Sequence, residues 1–90
     1  MTTLRVDIAD YDPASGLRFP VVPGAFIEAA QQHPEYVIRA NAAGLRLLAF
    51  QLLTMAQDGV PAGSHLHFDP DASLEPGSAP FVIERIEPAI

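Results

Sequence analysis

The chain has no cysteine and no lysine. The first absence removes a disulfide framework and thiolate metal sites, and leaves the oxidation state of the compartment invisible. The second leaves five arginines, Arg5, Arg18, Arg39, Arg46 and Arg85, with no cluster among them. A surface that tracks phosphates needs clustered cations, so direct nucleic-acid binding is not expected. Eleven Asp and Glu residues bring the formal net charge to −6. That balance favours solubility and a basic partner.

Long apolar runs are also missing. The longest apolar region, 43–56, is interrupted by Arg46, Gln51 and Thr54 and falls short of the roughly 20 residues that a membrane span needs. The opening "MTTLRVDIAD" has no apolar run of the signal-peptide kind, so the cytosol is the expected compartment. There is no G-x-G-x-x-G and no phosphate-binding loop. Ser15, Ser64, Ser73 and Ser78 have no G-x-S-x-G setting. Glu84 and Glu87 stand three apart on or beyond a strand, where they do not flank a substrate as an acid–base pair. Neither an enzyme nor a cofactor is expected.

What is present points to one small domain over 1–90. Hydrophobic residues make up 49% and charged residues 18%, rich in apolar residues for so small a body. Part of the apolar surface is therefore expected in an interface with another chain.

Alternation of apolar and polar residues over 3–9, 35–41, 65–69 and 81–86 predicts four strands. Between Pro23 and Pro34 the chain admits a short helix near 24–32, begun after one proline and stopped by the other. The clearest element is a helix at about 42–58. Leu45, Leu48, Leu52 and Met55 recur at three- and four-residue steps, with Ala49 and Ala56 beside them, as one apolar stripe. Asn41 suits its N-cap, and Gly59 and Pro61 suit its end. Leu47, Phe50 and Leu53 fall outside that stripe, to be covered by the 17–34 segment or to meet a second chain. The expected fold is α+β in two layers: a four-stranded, mostly antiparallel sheet with the main helix on one face.

The stretch "GSHLHFDPD" (63–71) carries the candidate chemistry. Residues two apart share a strand face, so His65, His67 and Asp69 project together, away from the apolar Leu66 and Phe68. Arg5, Asp7 and Arg39 are expected on the same open face; Glu84 is ambiguous. An H-x-H pair can converge on a divalent metal, with Asp69 as a third ligand. The end residues of that trio lie about 13 Å apart along a strand, and a polar strand face makes the same pattern without metal. His33, before Pro34, is expected in an exposed turn.

The second half has an ordered set of motifs: Asn41, Gly44–Leu45, Leu48–Ala49, His65-x-His67, Leu74, Gly77–Ser78 and Ile83–Glu84. In that order and spacing it resembles a small bacterial family, immunity protein 32, of polymorphic toxin systems. The resemblance implies a cytosolic, non-enzymatic α+β protein that binds and neutralises a toxin domain encoded nearby. Residues 10–34 have no counterpart in it.

Three readings follow. The first is a protein-binding module whose contact residues are His65, His67, Asp69, Asp7, Glu84 and Phe50. The second is a small metal-binding or hydrolytic domain using His65, His67 and Asp69. The third is a homodimer formed through the open sheet face or through Phe50 and its neighbours.

Overall fold

Ile27 and Ala29 alternate with Glu28 and Ala30, and Tyr36 and Ile38 alternate with Val37 and Arg39. In the computed structural model, which describes residues 1–87, these two stretches form an antiparallel hairpin. Strand β1 (Ile27–Gln32) pairs with β2 (Glu35–Ala40) across a turn at His33 and Pro34. Helix α1 (Ala42–Met55) follows at once. A second antiparallel hairpin joins β3 (His65–Phe68) to β4 (Phe81–Glu84).

The fold is thus α+β, but its strands form two two-stranded sheets, not one four-stranded sheet. The two are joined by an irregular segment. The edge of β1 that does not face β2 is taken by the β3–β4 connection. Glu75 N–H donates to Ile27 O and Ala79 N–H to Ala29 O, both at 2.8 Å. Ala29 N–H in turn donates to Ser78 Oγ at 3.1 Å. Both edges of β1 are therefore hydrogen-bonded, as a buried strand requires.

The helix expected near 24–32 is instead β1. "EAAQQ" is a helix-forming composition, but the stretch between Pro23 and Pro34 is too short to hold a helix by propensity alone. Two edges of hydrogen bonds and the burial of Ile27 and Ala29, both 2% exposed, decide for the strand. Residues 3–9 form no strand. Val6 and Ile8 are half-buried and Leu4 is 81% exposed. This arm is hooked on at its end by Gln57, whose Nε2 donates to Ala9 O (3.1 Å) and whose Oε1 accepts from Tyr11 N–H (2.9 Å).

Ile27, Ala29, Phe68 and Leu74 form one buried cluster, with Leu47 and Leu48 from α1 and Phe81 and Ile83 from β4 packed on it; Met55 and Val60 are also buried. Phe81 links the sheets. It stacks on Phe68 at 4.4 Å between ring centroids and meets the edge of Tyr36 at 5.9 Å. The Tyr36 hydroxyl also donates to Ala79 O.

Only half of the stripe expected for α1 faces inward: Leu48 packs on the core and Met55 is buried. Gly44, Gln51, Thr54 and Met55 are buried, whereas Leu45 is 58% and Leu52 47% exposed. Gly44 sets this orientation. It lies so close to β1 that a Cβ there would collide with Phe26 O, and the face carrying it must turn inward. Leu47 and Phe50, expected off the stripe, are half-buried; Leu53 is exposed. The helix also ends earlier than 58, with Ala56 as its C-cap. Beyond it Arg85 Nη1 donates to Met55 O and Gln57 O, at 2.8 and 2.6 Å. A cation is favoured at this end because the last carbonyls have no intrahelical partners.

Two polar side chains lie on the inward face. Thr54 Oγ1 donates to Phe50 O at 2.7 Å. Gln51 is buried, and its Oε1 has no hydrogen-bond partner among the described residues. Leaving such an acceptor dry costs about 1–3 kcal/mol. Gln51→Leu, of similar size and fully apolar, is expected to raise stability by about 1 kcal/mol and Tm by about 4–8 °C. A thermal melt that moves down instead would show that Gln51 is bonded in solution.

Candidate partner-binding surface

Period-two alternation sorts the second hairpin into two faces. Leu66, Phe68, Phe81 and Ile83 face the core. The register sets His65 opposite Glu84 and His67 opposite Val82, and all four are exposed. Glu84, ambiguous in the sequence, thus shares the face of the histidines. The two imidazoles stand edge to face, 5.0 Å between centroids and 83° between planes. His65 Nδ1 lies 2.9 Å from Gly63 O. A carbonyl only accepts, so Nδ1 carries the hydrogen and Nε2 is left for another partner.

The other candidate residues are not gathered with them. Strand β3 ends at Phe68, and Asp69 builds the turn that follows. Its carbonyl accepts from the N–H groups of Ala72, Ser73 and Leu74, and its own N–H donates to Ser73 Oγ. Asp7 and Arg5 lie on the N-terminal arm, 3.6 Å apart and almost fully exposed, not on a strand. Arg39 belongs to the first hairpin, 3.0 Å from Glu28 directly across from it. Exposed pairs of this kind stabilise little. Phe50 is half-buried on α1. Among the described residues no three His, Cys, Asp or Glu side chains come together as a metal-holding group, and His65, His67 and Asp69 do not converge. No helix of the described residues is long and apolar enough to cross a membrane.

One concave feature borders this face. A groove of about 350 Å³ runs between the end of α1 and β4, lined by Leu52, Met55, Ala56, Ile83, Glu84 and Arg85. Glu84 therefore stands both opposite His65 and on the groove. Beside it the outward face of α1 carries exposed Leu45, Ala49, Leu52 and Ala56. Sequence reasoning assigned these four to the core. The signal that separates them is the 4-3-4 spacing of Leu and Ala, a seam of its own, read against Gly44 and Thr54 on the opposite side.

Half of the motif positions have structural duties. Asn41 caps α1, with Gly44 N–H donating to Oδ1 at 2.8 Å. Leu74 is buried, Leu48 and Ile83 pack on the core, and Ser78 holds β1. Leu45, Ala49, His65, His67 and Glu84 remain exposed.

No curated protein and no solved structure gives a significant match to this chain. Residues 35–86, which run from the first residue of β2 past the end of β4, match the family described as immunity protein 32. That is more than half of the chain, and the protein belongs to this family.

Proposed function

We propose that the protein is an immunity protein that binds and neutralises a bacterial toxin domain in the cytosol, without catalysis, through the outer face of the β3–β4 hairpin. The observation that carries this reading is the state of His65, His67 and Glu84. They share one exposed face, and among the described residues the side-chain bond drawn from them is His65 Nδ1 to Gly63 O. Imidazoles and a carboxylate left outside the packing give directional donors and acceptors, and Val82 between them gives apolar area. This combination suits specific protein contact. The net charge of −6 adds long-range attraction for a basic partner, which raises association rate more than final affinity.

The test is protection. The toxin domain encoded beside this gene is expressed in a sensitive bacterium with the wild-type chain or with a His65→Ala, His67→Ala, Glu84→Ala triple variant. The wild type is expected to restore growth. The triple variant is expected to melt near the wild type and bind the toxin domain at least about 100-fold more weakly, as loss of a central contact cluster implies. Full protection by the triple variant would remove this face from the interface. A toxin domain that the wild type neither binds nor neutralises would remove the reading itself.

A further inference from the structure

The outward face of α1 has an unusual composition for an acidic protein. From Ala42 to Gln57 there is no Asp or Glu, and Arg46 is the only charge. Leu45, Ala49, Leu52 and Ala56 follow at steps of four, three and four. At 3.6 residues per turn they lie within about 60° of one another. All four are exposed, Leu45 at 58% and Leu52 at 47%, with exposed Leu53 beside them. The strip contributes nothing to the buried core.

We propose that this strip is the contact between two copies of the chain, packed as an antiparallel helix pair about a twofold axis. Two features choose a second copy over a basic partner. The first is charge. A cationic surface finds no carboxylate on the strip itself: Arg46 is the only charge from Ala42 to Gln57, and Glu84 lies across the groove with Arg85 beside it. Two copies that each carry −6 repel wherever carboxylates face each other, so a surface free of them is where they can close. The second is self-complementarity, which a twofold contact demands. In an antiparallel pair centred between Ala49 and Leu52, Leu45 meets Ala56 of the second copy and Ala49 meets Leu52. Every large side chain then faces a small one at both ends of the seam. The 4-3-4 spacing is that of a heptad seam, in which side chains of one helix enter gaps on the other. Ala56 also opens on the groove beside β4, which has volume to take the Leu45 side chain of the second copy. Phe50 takes no part in this seam, because it projects from a different side of α1 and is half-buried.

A single pair of 14-residue helices covers less than the roughly 800 Å² per partner of a standard interface. The expected dimer is correspondingly weak. Sedimentation velocity on the full chain should show monomer at about 10 μM and a rising dimer fraction toward about 500 μM, the range of a Kd near 100 μM. Ala49→Glu, which sets a carboxylate at the seam, should remain monomeric across that range with an unchanged melt. Leu52→Lys should do the same. An equimolar mixture of the two variants should recover dimer, because only the mixed pair sets the introduced carboxylate of one copy against the introduced ammonium of the other. A wild type that stays monomeric throughout overturns the proposal. So does an Ala49→Glu variant that dimerises like the wild type. Monomeric wild type whose toxin binding is abolished by Ala49→Glu also overturns it, and assigns the strip to the toxin.

Discussion

Gly44→Ala is expected to destabilise the protein by about 3 kcal/mol and to lower Tm by about 15 °C, although the same change in an ordinary helix stabilises. Alanine is better than glycine in a helix interior by about 1 kcal/mol, because glycine loses more backbone freedom. The sign reverses here because of what a methyl group meets. A Cβ on Gly44 would overlap Phe26 O and stand 3.0 Å from Ile27 Cγ1 and 3.1 Å from Ala40 Cβ. Phe26 O belongs to the main chain and accepts Asn41 N–H at 3.2 Å, so it cannot turn aside alone. Relief requires α1 and the start of β1 to separate, and Ile27 at 2% exposure lies where they separate. Urea and thermal unfolding measure the effect. A variant as stable as the wild type would show that helix and strand do not approach so closely in solution.

That close approach also explains what the sequence concealed. Strand β2, α1 with its N-cap, and the inward set Leu66 and Phe68 against the outward His65 and His67 were all legible, because alternation and capping are local signals. The inward face of α1 was not. Hydrophobic periodicity favours Leu45, Leu48, Leu52 and Met55, but the contact at a residue with no side chain rotates the helix. Leu48 and Met55 stay inside, Leu45 and Leu52 go out, and Gln51 and Thr54 go in. A stripe found by hydrophobicity cannot weigh a glycine whose role is to be small. Residues 3–9 failed for a related reason: alternation reports which side chains prefer burial, whereas a strand also needs a free edge to pair with.

The open face of the second hairpin was legible as polar, but its company was not. Expecting one sheet placed Asp7, Arg39 and Asp69 beside the histidines. Two separate hairpins, joined by the 75–79 segment, leave His65, His67 and Glu84 as the trio. The pairing of Glu84 with His65 depends on the length of the β3–β4 connection, which no local pattern reveals.

Strand β1 lies outside the family match, which begins at Glu35, yet supplies two of the six buried hydrophobic residues among those described. The manner of its attachment accounts for this. Gly44 approaches Phe26 O, Ser78 Oγ accepts from Ala29 N–H, and Glu75 and Ala79 bond the carbonyls of Ile27 and Ala29. All of these address main-chain atoms, which nearly any sequence offers. Asn41 does the same twice over. Its Oδ1 accepts from Phe26 N–H at 3.0 Å as well as from Gly44 N–H, and its Nδ2 donates to Gly24 O at 2.9 Å. One side chain thus starts α1 and fixes the entry to β1. Asn41→Ala is expected to cost about 2 kcal/mol, roughly 1 for the cap and the rest for the two links to the strand, and to lower Tm by about 10 °C. Asn41→Asp should cost about half as much, because a carboxylate keeps both accepting bonds and suits a helix N-terminus but loses the donor to Gly24 O. Hydrogen exchange separates the contributions. Protection at Gly44 and Phe26 should fall in the alanine variant and persist in the aspartate variant. Equal losses in the two variants would mean that the Nδ2 donor, not the shared acceptor, holds the strand to the helix.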